Sequence, residues 1–306
     1  MGRYTVRRLI QMVFVFFGVT LIIYAAVWAL PGDPIRALSG DRPMSESTIN
    51  ALREQFHLND PFYLQYLTYI GNLLRGDLGT DFSGRSVAQQ MGSRWPVTIN
   101  LALTALLFEA VFGIVLGTIA AVRGKVTDFV ILFFSISIVS LPVFVLAYMG
   151  QIILGVKAGI FPVSGANQGW LSYILPGFIL ATTGMASVAR LVRSSVLENL
   201  KADYTRTAHA KGLSNFRVLT RHVLRNSLIP AVTFLAIDLG YLMGGAIVIE
   251  GVFNLPGIGQ LLFRSTAAQE GAVVVGVASF LVLIFLLTNL LVDLLYGVLD
   301  PRIRYE

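Results

Sequence analysis

GAVVVGVASFLVLIFLLTNLLV, residues Gly271–Val292, runs for 22 positions without a charge. At roughly 1.5 Å per residue such a run crosses a hydrocarbon layer about 30 Å thick as a helix, with each backbone polar group satisfied inside the segment. Outward from it, equally long gaps between charges recur. Leu9–Gly32 and Phe129–Val156 hold none, Val97–Val122 holds only Glu109, and Asn226–Ile249 holds only Asp238. A further uncharged stretch, Ala158–Ala189, is split by the turn-rich Phe161–Gly169 into a loop and a helix starting at about Leu171. These gaps predict an all-α integral membrane protein with six transmembrane helices, an even number that puts both termini on one side. Composition agrees. Of 306 residues 55% are hydrophobic and 13% charged, with mean hydropathy +0.73, whereas a soluble domain carries about 25% charged residues. A soluble enzyme, a nucleic-acid binder and a disordered regulator are excluded on that ground. With no cysteine, disulfides, thiolate metal sites and a cysteine nucleophile are excluded too.

Lys and Arg near the span ends decide orientation. Cytoplasmic termini place Arg3, Arg7, Arg8, Arg123, Lys125, Arg190, Arg193, Lys201, Arg206, Lys211, Arg217, Arg221, Arg225, Arg302 and Arg304 inside, 15 of the 23 basic residues. In the outer segment Ile35–Pro96, six Arg are balanced by six carboxylates. Both termini are therefore expected in the cytoplasm, in a bacterial inner membrane. The first span is expected to be an uncleaved signal anchor, because Pro31-Gly32-Asp33-Pro34 follows it where small residues should precede a cleavage site.

Two connections are long. The outer one, about Pro31–Trp95, carries three helix-start signals: Ser45 ahead of Ile49, Leu52 and Phe56; Asp60-Pro61 ahead of Tyr63, Leu67, Ile70 and Leu74; and Ser86 ahead of Val87, Met91 and Trp95. Each apolar set has helical spacing, which suits a cap lying on the membrane or a docking surface for an external partner. The inner one, about Arg190–Asn226, sets eight basic residues against Glu198 and Asp203. Asp203 is placed to cap a helix from Tyr204 to Lys211, with Gly212 in the left-handed position that ends it. Ser214 is placed to cap a second helix with Phe216, Leu219 and Val223 on one face. Orientation and contact with anionic lipid need basic residues, but not two capped helices with a glycine hinge, so protein docking is the expectation. The chain thus divides into 1–96, the first transmembrane helix plus the helical outer loop, and 97–306, a five-helix core holding the inner loop at about 190–226.

No chemistry of its own is legible. A nucleotide-binding P-loop, the third glycine of a dinucleotide loop beside Gly257-Ile258-Gly259, a paired-histidine metal motif and a nucleophile elbow are all missing. No catalytic residue, cofactor site or metal site is expected in the chain, and the energy for any transport must come from elsewhere. Glu109 and Asp238 are the carboxyls placed deep within spans, where charge is costly, and they are the candidate pathway-lining residues. An ion-coupled secondary transporter is the alternative, although no basic partner lies at that depth. Gly113 with Gly117, and Gly240 with Gly244 and Gly245, have the small-residue spacing that lets helices approach closely.

These features together resemble the inner-membrane permease subunits of bacterial oligopeptide and dipeptide ABC importers, over essentially the whole chain. The inner loop carries most of the likeness: Arg190-Leu-Val-Arg-Ser-Ser195, then Asp203-Tyr-Thr-Arg-Thr-Ala-His-Ala-Lys-Gly-Leu213, then Arg225-Asn-Ser-Leu-Ile-Pro230. Pro31-Gly-Asp-Pro34, His57-Leu-Asn-Asp-Pro61, Arg75-Gly-Asp-Leu-Gly79, Pro162-Val-Ser-Gly165, Glu250–Gly259, Asn289–Gly297 and Asp300-Pro-Arg-Ile-Arg304 follow the same order. The resemblance implies the type I ABC importer permease architecture. It makes Tyr204, Thr205, Arg206, Thr207, Ala208, His209, Ala210, Lys211 and Gly212 the segment that couples to the ATPases, with Tyr204 and Ala208, one turn apart, entering a groove of the partner. It also implies a second homologous permease subunit, two P-loop ATPase subunits carrying ATP and Mg, an extracytoplasmic peptide-binding protein, membrane lipid around the spans, and no nucleic acid.

Overall fold

The structure, a computed structural model, describes residues 2–29, 35 and 45–299. The Pro31–Pro34 and Asp300–Arg304 motifs, with the basic residues Arg302 and Arg304, lie outside the described residues. The described chain is helical, with one isolated antiparallel bridge between Thr80 and Ser86. In order the helices are α1 (Gly2–Trp28), α2 (Glu46–Gln55), α3 (Phe62–Leu74), α4 (Val87–Val122), α5 (Lys125–Val139), α6 (Val143–Gly150), α7 (Leu171–Leu200), α8 (Asp203–Ala210), α9 (Asn215–Val218), α10 (Leu224–Ser227), α11 (Ile229–Gly245), α12 (Ile247–Val252), α13 (Ile258–Ala267) and α14 (Gly271–Leu299). α6 continues as a π-helical stretch, Gln151–Lys157, and a second one, Leu219–Val223, joins α9 to α10.

Four helices, α1, α4, α7 and α14, are each long and apolar enough to cross a membrane. Two bent pairs raise the number to six only if each pair is one crossing. The third predicted span is therefore not a straight rod: the chain turns by 98° between Val139 and Val143. Pro142 has no N–H for the helical ladder and pushes Leu141 out of the α region, while the Ser140 hydroxyl folds back onto the Ile136 carbonyl at 2.8 Å. The fifth is bent by 46° between Asn215–Ser227 and Ile229–Gly244. Two other boundaries also move. The helix expected after Ser86 and the second span are one 36-residue helix that runs through Pro96. The fourth span continues to Leu200, so Arg190–Leu200 belongs to a helix rather than to the inner loop.

Contacts group the chain into two units that do not follow its linear order: Met1–Thr98 with Pro256–Glu306, and Ile99–Leu255. In the first, α1 lies along α14. Tyr24, Trp28, Phe62, Tyr66 and Tyr69 form an aromatic cluster between α1 and α3, edge-to-face except for the tilted Tyr24–Tyr69 pair, and the Tyr69 hydroxyl donates to Ser279 at 2.7 Å. Ser45 caps α2 as expected, accepting the Thr48 N–H. The turn before α4 is organised by Asp81. Its carboxylate is buried and accepts the backbone N–H groups of Ser83 and Arg85, the Arg85 side chain at 2.8 Å and the Gln90 amide at 3.1 Å. Burial alone would raise the Asp81 pKa, but the Arg85 bonds and charge outweigh it and hold the carboxyl below its ordinary value.

In the second unit α7 is the central element, and most of its residues between Ser172 and Val196 are buried. α4 packs on it through small residues. A Cβ placed on Gly113 would lie 2.6 Å from Val188 Cβ, one on Gly177 2.7 Å from Thr104, and one on Gly117 would strike the Ala189 carbonyl and Val192. These contacts advance in the same direction along both helices, so α4 and α7 run parallel and the chain turns back between them through α5 and α6. Gly124, at φ +93, makes the turn from α4 into α5. Arg193 of α7 then grips Asp128 at the start of α5 with both guanidinium arms.

Candidate functional site

The expected coupling segment is an eight-residue helix, α8, between the end of α7 and the left-handed Gly212. Alone it would be too short to persist in water. Asn199, the penultimate residue of α7, is what seats it. Its amide nitrogen donates to the Ser195 carbonyl at 2.9 Å and to the Ser227 hydroxyl at 3.0 Å. Its side-chain oxygen accepts from the Tyr204 hydroxyl, and its backbone carbonyl accepts from the Thr205 hydroxyl at 2.7 Å. One residue thereby joins α7, α8 and α10. Ser227 is fully buried and passes its own proton to the Val223 carbonyl at 2.8 Å.

The nine candidate coupling residues fall on two faces. Thr205 and Ala208 point into the protein, Ala208 in an apolar cluster with Val192, Val196, Val218 and Val223. Ala208 is therefore not paired with Tyr204 on a partner-facing surface: it is committed to the chain's own core, while Tyr204 remains partly exposed. Arg206, Thr207, His209, Ala210, Lys211 and Gly212 are exposed, with Arg206 in a 3.6 Å ion pair with Asp203 on the surface. Neither expected side-chain cap forms, since Ala202 precedes α8 and Ser214 makes no capping bond to α9. Of the expected apolar face of the second helix, Leu219 and Val223 pack into the core and Phe216 does not. Val218 and Val223, five residues apart, are buried, whereas Phe216 is 76% exposed. Phe216 thus joins the outward surface, a position that the 3.6-residue period assigned to the core. Asn199 and Ser227 gave no signal in the sequence, because their meeting depends on two helices separated by the inner loop.

The two intramembrane carboxyls lie in the same unit but in different settings. Asp238 on α11 is half-buried, and Glu109 on α4 is fully buried. The carboxylate oxygens of Glu109 meet no hydrogen-bond partner among the described residues. Glu109 is fully enclosed in this structure. Directly beneath its carboxyl is Gly184 of α7, where any Cβ would overlap it. Among the described residues no group of three or more His, Asp or Glu side chains is arranged to hold a metal ion.

Residues 113–305 match the family described as Binding-protein-dependent transport system inner membrane component. Residues 1–102 match its N-terminal counterpart, Binding-prot-dependent transport system membrane comp, N-term. The chain is 38% identical over 308 aligned positions to the Glutathione transport system permease protein GsiC of Escherichia coli O6:H1, with both chains covered in full. It is 37% identical, again over both whole chains, to the proteins of that name from Escherichia coli K12 and Shigella dysenteriae serotype 1. A likeness of that extent, on a helical chain with several apolar spans and a seated helix in its inner loop, leaves no place for the ion-coupled alternative: the chain belongs to the binding-protein-dependent inner-membrane components and is a permease subunit of an ABC importer of the peptide branch.

Proposed function

We propose that this chain forms half of the translocation pathway of an importer for short peptides. It would work beside one homologous permease, two P-loop ATPase subunits that bind ATP and Mg, and an extracytoplasmic peptide-binding protein. The relatives named as glutathione permeases support cargo of peptide character, glutathione being itself a small peptide. Hydrolysis belongs to the partners, and this chain supplies a path and a mechanical link. With both termini in the cytoplasm, α8 and Phe216 face the ATPases. Of the two intramembrane carboxyls, the half-buried Asp238 is the one assigned to the pathway.

The observation that carries the coupling role is the outward face of α8. Arg206, His209 and Lys211 supply polar and cationic groups there, and Phe216, exposed just beyond the Gly212 hinge, supplies the apolar anchor typical of a protein interface. Contact with lipid headgroups would account for the cations but not for a helix fixed by two hydrogen bonds to Asn199, which is itself bonded to α10. Ligand-driven closure of the ATPase pair would move this face and, through Asn199, the ends of α7 and α10 together.

Gly212 provides the test. A Cβ there has open space around it, so Gly212→Val is strained only by its φ of +75, at a cost of roughly 1–2 kcal/mol. The variant is expected to insert and to retain the ATPases, while peptide uptake collapses and stimulation of ATP hydrolysis by the binding protein disappears. Phe216→Ala, on the docking surface, is expected to weaken co-purification of the ATPases. Wild-type uptake in the first variant together with undiminished ATPase binding in the second would remove the coupling role from this segment.

A further inference from the structure

Glu109, Gly113 and Gly117 form one stripe of α4 at four-residue spacing, and they meet Gly184, Val188 and Val192 of α7 with the same offset at each step. At two of the three steps α4 supplies the glycine. At the third the roles reverse, with α7 supplying Gly184 and α4 a glutamate whose carboxyl occupies the space the missing side chain leaves. A displacement of one turn would set that carboxyl against Val188, or leave Gly113 opposite Gly184 across a gap. Glycine stripes permit close approach but do not by themselves fix where two helices stop. The single large residue does.

Its charged surroundings are sparse. Residues 99–122 of α4 carry no other ionisable group, α11 carries Asp238 and the phenol of Tyr241, and the nearest on α7 is Arg190, six residues and about 9 Å of helix rise beyond Gly184. No cation among the described residues is placed to hold Glu109 as one half of an ion pair.

We propose that Glu109 is a positioning residue, a key seated in the gap at Gly184 that fixes the register of α4 against α7. What matters in this role is the length and polarity of the side chain, not a charge offered to cargo. The inference needs only that the chain works as a permease, and it is independent of the coupling role given to α8.

The assembled transporter, reconstituted with its partner permease, ATPases and binding protein, tests the key by uptake and by a cross-link. Thr104→Cys with Gly177→Cys reports register, because a Cβ on Gly177 lies 3.0 Å from Thr104 Cβ: the helices need to part by only about 0.5–1 Å there to reach disulfide spacing, whereas a slip of one turn, about 5.4 Å, takes the pair out of reach. Glu109→Gln fills the same gap with a side chain of the same length, so uptake is expected within about twofold of wild type with the cross-link intact. Gly184→Ala is expected to lower uptake about tenfold or more and to abolish the cross-link. Adding Glu109→Asp to it, which withdraws the carboxyl by the methylene that the alanine adds, should restore both. Loss of uptake in Glu109→Gln equal to that in Glu109→Ala would overturn the proposal, because the charge would then be the essential property. Failure of Glu109→Asp to rescue Gly184→Ala would overturn it equally. If Gly184→Ala does not reach the membrane, the Glu109→Gln result alone decides.

Discussion

Asn199 is a small residue with an unusual number of duties, holding Ser195 and Ser227 by its amide and receiving Tyr204 and Thr205 at its two oxygens. Asn199→Ala removes the two amide bonds and the Tyr204 bond but keeps the backbone carbonyl for Thr205. At roughly 1 kcal/mol per bond, the seat of α8 weakens by about 1–3 kcal/mol while α7 upstream of Val196 is untouched. Hydrogen exchange should therefore quicken across 203–212 and not across 177–192. Equal protection of 203–212 in both proteins would show that the apolar cluster around Ala208 is sufficient without the asparagine. Gly212 was legible because a glycine after a helical run has one common reason to be there, a left-handed end. Asn199 was not, because its meaning is set by Ser227, which lies 28 positions away.

Among the elements, the turn before α4 owes its shape to one acid. The sign of its pH dependence follows from the direction of the shift. The folded-state Asp81 carboxyl titrates below its ordinary value, so its contribution is complete above about pH 4 and is lost as the pH falls through the folded-state value. Asp81→Asn should lower stability at pH 7 by roughly 1–2 kcal/mol, at the low end because Arg85 is exposed. In thermal unfolding of the purified permease, the gap between wild type and variant should narrow as the pH is taken below about 4. A gap that stays constant would mean that the backbone bonds, not the charge, organise the turn. Elements marked by local chemistry were readable here, such as the Ser45 cap of α2. Those decided by continuity of the backbone were not. Trp95-Pro96 reads as a stop, yet α4 runs through it, and the uncharged run Phe129–Val156 reads as one rod although Pro142 bends it by 98°. Counting charges measures how long a segment can stay in lipid and carries nothing about where its axis turns.

For the whole molecule, the natural absence of cysteine makes orientation directly measurable. Ser83 and Ser214 are exposed and neither side chain caps a helix. Ser83→Cys is expected to react with an impermeant maleimide added to intact cells, and Ser214→Cys only after the membrane is opened; the reverse pattern would invert the topology. The grouping of α1 and α14 in one unit was invisible to a linear reading, since apolar patterns say that helices are buried in lipid and not which of them are neighbours. From Gly177 to Leu200, α7 has no proline, and at 1.5 Å per residue it is a stiff beam of about 36 Å. α4 bears on it at every step from Gly177 to Val192, about two-thirds of its length. A beam clamped along that much of its length is a cantilever, with only its last eight residues, about 12 Å, beyond the clamp. A push delivered at the Asn199 end is therefore expected to carry α4 and α7 together as one lever, not to pivot one against the other.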